Sequence, residues 1–164
     1  MIFVTVGTHE QQFDRLIEYM DARKADGSID EEVVIQTGYS TFEPKHCRWQ
    51  KLFPYPEMVS LVAQARIVIT HGGPSSFIMP LQVGKVPIVV PRQKAFDEHV
   101  NDHQLDFALE VARRQKNILV AEDVSQLEDL ITGYDAIVGK MESGLSSNNA
   151  AFIDGFRALI ADLF

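Results

Sequence analysis

Residues Ile67-Val68-Ile69-Thr70 form a run without polar alternation, and His71-Gly72-Gly73 follows it directly. A strand with one wet face alternates apolar and polar residues, so this run predicts a central strand covered on both sides, as in a parallel sheet flanked by helices. Ile2 to Val6, Val33 to Gln36, Val86 to Val90 and the short Ile118 to Val120 read the same way, and Cys47 to Phe53 reads as a less regular strand. Segments of helical period lie between them. Phe13, Leu16, Ile17 and Met20 share one face, as do Leu105, Ala108, Leu109 and Ala112. Pro56 suits the first turn of a helix carrying Met58, Val59, Leu61 and Val62. A helix from Ser75 to Val83 stops at Gly84, and Ser125 to Glu128 reads as a capping box for a short helix ended by Gly133. Strands and helices in alternation predict an α/β fold around a mostly parallel sheet.

The 164 residues, 46% of them hydrophobic, suit one domain spanning residues 1–164. Between Gly139 and Asn149 the composition turns to Gly, Ser and Asn, which predicts a loop. A final amphipathic helix over residues 148–163 is expected after it, with Phe152, Ile153, Phe156, Leu159, Ile160 and Leu163 in register. That stripe packs either on the domain's own sheet or against another chain. A formal net charge of -8 disfavours nucleic acid and anionic membrane as general partners. Cys47 is the only cysteine, which excludes an internal disulfide and fits a reducing cytosol. No signal peptide or membrane span is legible, so a membrane role is expected to run through a partner or a lipid substrate.

The dinucleotide, P-loop, hydrolase-elbow, zincin and EF-hand signatures are absent from the sequence, as is Asp-x-Asp. What stands out is Thr70-His71-Gly72-Gly73-Pro74-Ser75-Ser76, a buried strand, a flexible turn and a helix start rich in hydroxyls. Glycines let a ligand approach the backbone, and the first N–H groups of a helix favour an anion such as a diphosphate. A tight turn with capping serines would look the same. A second strand end delivers Arg92, Lys94, Glu98, His99, Asp102, His103 and Gln104, and ligands of open α/β sheets sit where such loops converge. Arg92 or Lys94 suits a phosphate and Glu98 a ribose diol. His99 and His103, four apart, would suit a metal, whereas a solvated helix N-terminus needs none. Gly7-Thr8-His9 forms a small-residue turn on the same rim.

Together these segments resemble the C-terminal, donor-binding domain of glycosyltransferase family 28. The likeness runs from Met1 to about Ala112 and rests on Phe3 to Thr8 with Phe13, Gln36-Thr37-Gly38, His71 to Ser76, Gly84 to Pro91, and Glu98-His99 with Asn101 to Gln104. It is nearest to the stand-alone members, the catalytic subunit of the dolichol-linked N-acetylglucosaminyltransferase and its bacterial exopolysaccharide homologues. Asp102-His103-Gln104 is more similar to the bacterial branch.

The resemblance implies a Rossmann-like, three-layer half of a GT-B enzyme that is inverting and metal-independent and works with a membrane-associated acceptor-domain subunit. Its donor would be a UDP-sugar, its acceptor a polyprenyl-diphosphate-linked saccharide, and its place the cytoplasmic membrane face. A non-catalytic nucleotide-sugar-binding module is the other reading. The backbone at Gly72 and Gly73 with Ser75 and Ser76 would meet the diphosphate, and Gly7, Thr8 and His9 would form the facing rim. Glu98, His99 and Asp102 would take ribose or sugar contacts, with Arg92 and Gln104 in the same cluster. His71 or His9 would assist acid–base or leaving-group chemistry. The family's usual Gly and Glu are replaced here by Ser75 and Met79, and Pro80 is expected to kink or shorten its helix.

Overall fold

The computed structural model describes residues 1–145. Strands β1 (Ile2–Thr5), β2 (Val33–Gln36) and β4 (Ile67–His71) are buried at every position, which is why none alternates in polarity. With β3 (Arg48–Gln50), β5 (Ile88–Val90) and β6 (Leu119–Val120) they form one six-stranded sheet in the order β3-β2-β1-β4-β5-β6. Every pairing is parallel.

One face of the sheet buries Val4, Ile35, Ile69 and Ile88 against Leu16, Ile17 and Met20 of α1 (Asp14–Ala25) and Leu127 of α5 (Leu127–Thr132). On the other face Phe3, Val34 and Val68 meet Leu61 and Val62 of α2 (Tyr55–Gln64). Val89 meets Phe77 and Leu81 of α3 (Pro74–Gln82) and Ala108 of α4 (His103–Gln115). The result is the expected Rossmann-like arrangement of helices on both faces of a parallel sheet. Strand order reverses between β1 and β4, so the loops at their carboxyl ends part there and open a crevice.

Several local expectations change. The third strand contracts to three residues. The short helix is capped by Asp123, which accepts from Ser125 N while Gln126 returns a bond to Asp123 N, so the capping box begins two residues before Ser125. On α4 only Ala108 is buried, and Leu109 is 38% exposed. The loop expected from Gly139 is helical as far as Leu145 in α6 (Tyr134–Leu145). Tyr134 anchors it by donating its hydroxyl to Val86 O at 2.6 Å, and Val138 packs on the core, which outweighs the weak helix preference of Gly139 and Gly144. Pro80 stays inside α3, which ends two residues later. The helix expected over residues 148–163 lies outside the described residues.

Candidate functional site

The crevice is built around His71, the last residue of β4. Gly7, at φ +75, and Gly73 both lie against its ring, and a Cβ at either position would overlap the imidazole. Nδ1 accepts the Gly73 N–H at 3.0 Å, which assigns the ring proton to Nε2. Nε2 in turn lies 2.7 Å from Ser76 Oγ and donates to it. Burial, reinforced by the Arg92 charge and partly opposed by a Gln104 hydrogen bond, pushes the His71 pKa down to about 4. The ring is therefore neutral near pH 7. Because Ser76 Oγ accepts from His71, its own proton is free to be donated into the crevice.

A cavity of about 410 Å³ opens here, lined by Gly7, Thr8, His9, His71, Ser75 and Ser76 on one side and by Met58, Val62 and Met79 on another. Its volume lies in the range of small-molecule sites. Thr5 and Gln36, register partners on β1 and β2, also line it. Thr5 Oγ1 accepts from Gly7 N and Gln36 Nε2, each at 3.2 Å. These two residues and the methionine wall were missed as site residues. Register was the available signal, because Thr5 and Gln36 end buried strands with polar side chains.

The other strand end behaves differently. Arg92 is fully buried, and its guanidinium donates to four backbone carbonyls: Val6 O at 2.8 Å, Gln11 O at 2.8 Å, Gln12 O at 3.0 Å and Glu98 O at 3.2 Å. Glu98 is also fully buried, bidentate with Arg15 at 2.9 and 3.0 Å, and accepts from Gln93 N. Neither side chain lines that cavity: instead of the expected phosphate contact of Arg92 and ribose contact of Glu98, the structure shows both bonded internally as struts. Gln104 accepts from Arg92 N at 3.2 Å and backs Gly72, while Asp102 stays exposed and accepts from Lys94 N at 2.9 Å. The His99 ring meets that of His9 at a tilt of 43° with centroids 4.9 Å apart, and His103 is exposed with its N–H bonded to Asn101 Oδ1. The contact of His9 with His99 joins this loop to the cavity rim, beside the bonds made by Arg92 and the packing of Gln104 on Gly72.

A larger open groove of about 820 Å³ lies beside α1; Asp14, Glu18, Asp97 and Glu98 line it with Arg15 as its one cation, which leaves it net negative and ill suited to a phosphate. Among the described residues no group of three or more His, Cys, Asp or Glu is placed to hold a metal ion. Cys47 is buried, and its thiol is pushed up to about 12, first by burial and then by Asp21.

Residues 1–163 match the glycosyltransferase family 28 C-terminal domain. The chain belongs to this family. A relative in Yarrowia lipolytica, the UDP-N-acetylglucosamine transferase subunit ALG13, is 31% identical over 71 residues, which is 43% of the chain and 34% of that protein. The family 28 domain thus matches about a third of the length of this curated relative.

Solved structures with the same fold include a glycotransferase of kitacinnamycin, at TM-score 0.64 and 18% identity, covering 96% of this chain and 39% of that one. CalG4, the calicheamicin glycosyltransferase, aligns at TM-score 0.52 and 15% identity over 99% of this chain and 43% of its own. SnogD from Streptomyces nogalater aligns at 0.52 and 19% over 96% and 43%. The family 28 domain therefore has the Rossmann-like fold found in GT-B glycosyltransferases and corresponds to less than half of each. Met79 contributes to the apolar wall of the cavity.

Proposed function

We propose that this family 28 domain binds a UDP-sugar in the 410 Å³ cavity and transfers the hexose to a polyprenyl-diphosphate-linked saccharide. In this reading it works in polysaccharide biosynthesis as a subunit beside a membrane-associated partner that supplies the acceptor domain. The observation that carries the reading is the Ser76 hydroxyl at the N-terminus of α3, which accepts from His71 and keeps its own proton to donate. The helix dipole and first-turn N–H groups favour an anion at that place, and Ser75 adds a second hydroxyl.

Breaking the bond between sugar carbon and phosphate oxygen leaves negative charge on the departing UDP. Fixed donors at Ser76, Ser75 and the helix N-terminus stabilise that charge without reorganising, the part a metal ion plays elsewhere. A neutral His71 has no proton to release as an acid near pH 7, so its role is to orient Ser76. The base that activates the acceptor then comes from the partner, and inversion follows from a single displacement. The subunit described in Yarrowia lipolytica supports a two-chain arrangement. In this reading the domain attaches peripherally at the cytoplasmic membrane face through the partner; among the described residues no helix is long and apolar enough to cross a membrane.

Calorimetric titration with UDP and ADP in EDTA, repeated with magnesium, tests the donor reading. UDP is expected to bind in EDTA at least ten times more tightly than ADP, with no gain from magnesium. Binding that requires magnesium, or that ignores the base, contradicts it.

A further inference from the structure

Ser75, Ser76 and Met79 share one face of α3, because residues three and four apart in a helix lie one above the other. Met79 is thus met one turn, roughly 5 Å, beyond the two hydroxyls. It lines the cavity with Met58 and Val62 of α2, and both methionines rest on the cluster of Phe3, Val34 and Val68. A ligand whose phosphate sits at Ser75 and Ser76 carries its neighbouring group over this wall. In a nucleotide sugar that group is the nucleoside, because the faces of a base suit apolar side chains while the hexose has to stay at the open mouth to meet an acceptor.

The cavity is rich in hydrogen-bond donors and poor in acceptors. Ser76 keeps its proton to donate, and Ser75 and Thr8 bring further hydroxyls. Among the described residues no Asp or Glu lines it. Its two other side-chain oxygens are engaged: Thr5 Oγ1 accepts from Gly7 N and from Gln36 Nε2, and Gln36 Oε1 accepts from Phe53 N at 3.0 Å. Glu98, the carboxylate after the neighbouring strand, is bonded to Arg15 and Gln93 N. A ribose diol is a pair of donors best met by the two oxygens of one carboxylate, and a thioether sulfur accepts only weakly.

We infer that this cavity does not read the ribose hydroxyls, so that ribonucleoside and 2′-deoxyribonucleoside diphosphates are equivalent ligands for it, with Met79 as the residue that sets the tolerance. The inference rests on the donor reading and deepens it, since it states which part of the nucleotide goes unrecognised. A site built to bond a hydroxyl rejects the analogue without it by about 10⁴, whereas an apolar wall separates the two weakly. A hydroxyl laid against methionine gains no partner to offset the water it gives up.

Calorimetric titration of the full chain with UDP and with 2′-deoxy-UDP, in EDTA, measures this. The two are expected to bind within about threefold of each other. Met79→Glu places a carboxylate on the wall and is expected to favour UDP by at least about tenfold, the worth of one hydrogen bond to a charged group. The ratio within one variant is the readout, so repulsion between the new charge and the diphosphate cancels. Met79→Gln supplies an acceptor without the charge; a smaller preference of the same sign is expected there, and this variant serves if the Glu variant fails to fold. A preference for UDP of about tenfold or more in the wild type overturns the inference and leaves the donor reading standing. Equal binding in the wild type and in the folded variants also overturns it, because the ribose then does not lie over Met79. Silence toward both nucleotides removes the donor reading, and the tolerance with it.

Discussion

The β4–α3 turn and the loop after β5 leave adjacent parallel strands at the same end of the sheet, and both are rich in polar residues. In the first, glycines bring the backbone close to His71 and leave Ser75 and Ser76 facing a cavity. In the second, the charged side chains turn inward, with Arg92 and Glu98 at 0% exposure. Residue type at a strand end therefore does not decide whether a side chain serves a ligand or the fold. The unpaired carbonyls of two irregular loops had to be satisfied, and a guanidinium with five donors reaches four of them.

The largest expected effect breaks the inward side. Arg92→Met strands four carbonyls while Glu98 keeps its partner Arg15, and is expected to cost about 3–5 kcal/mol of stability. Denaturant unfolding measures this. An unchanged midpoint with weakened UDP binding would place Arg92 in the ligand site instead.

The outward side has its own buried group. His71 titrates at about 4 in the fold against 6.5 unfolded, so the unfolded chain binds more protons between those values. Stability from this group is complete above pH 6.5 and is lost as pH falls toward 4, by about 3 kcal/mol at the ordinary conversion of pKa to free energy. Unfolding curves of the wild type and His71→Gln across that window should converge as acid is added. Parallel curves would mean that the ring is not held neutral.

Gly7→Ala is the next smaller test. The added methyl meets the His71 ring at a backbone angle of φ +75, with an expected cost of about 2 kcal/mol. Displacing the ring should also weaken UDP binding. Wild-type affinity in a folded Gly7→Ala would separate the His71 cradle from ligand binding.

The hydrophobic runs made most of the fold legible. Val33–Gln36 emerges with the expected bounds, and the apolar face of α1 is buried at Leu16, Ile17 and Met20. Gly139 misled because the packing of Tyr134 and Val138 is tertiary and leaves no local signal. The site was legible as far as local chain order reaches: His71, Gly72, Gly73, Ser75 and Ser76 lie together because they are consecutive. Glu98 was misread because its partner Arg15 lies 83 residues away. A lone carboxylate in a polar loop looks available until the cation that occupies it is known.

The most direct measurement of the central claim is calorimetric titration of Ser76→Ala with UDP in EDTA, beside an unfolding curve of the same variant. The oriented hydroxyl predicts an affinity loss of about tenfold, the worth of one hydrogen bond to a charged group, at a stability cost below about 1 kcal/mol. Wild-type affinity in a folded Ser76→Ala would contradict the account, because the hydroxyl that His71 holds in place would then serve no ligand.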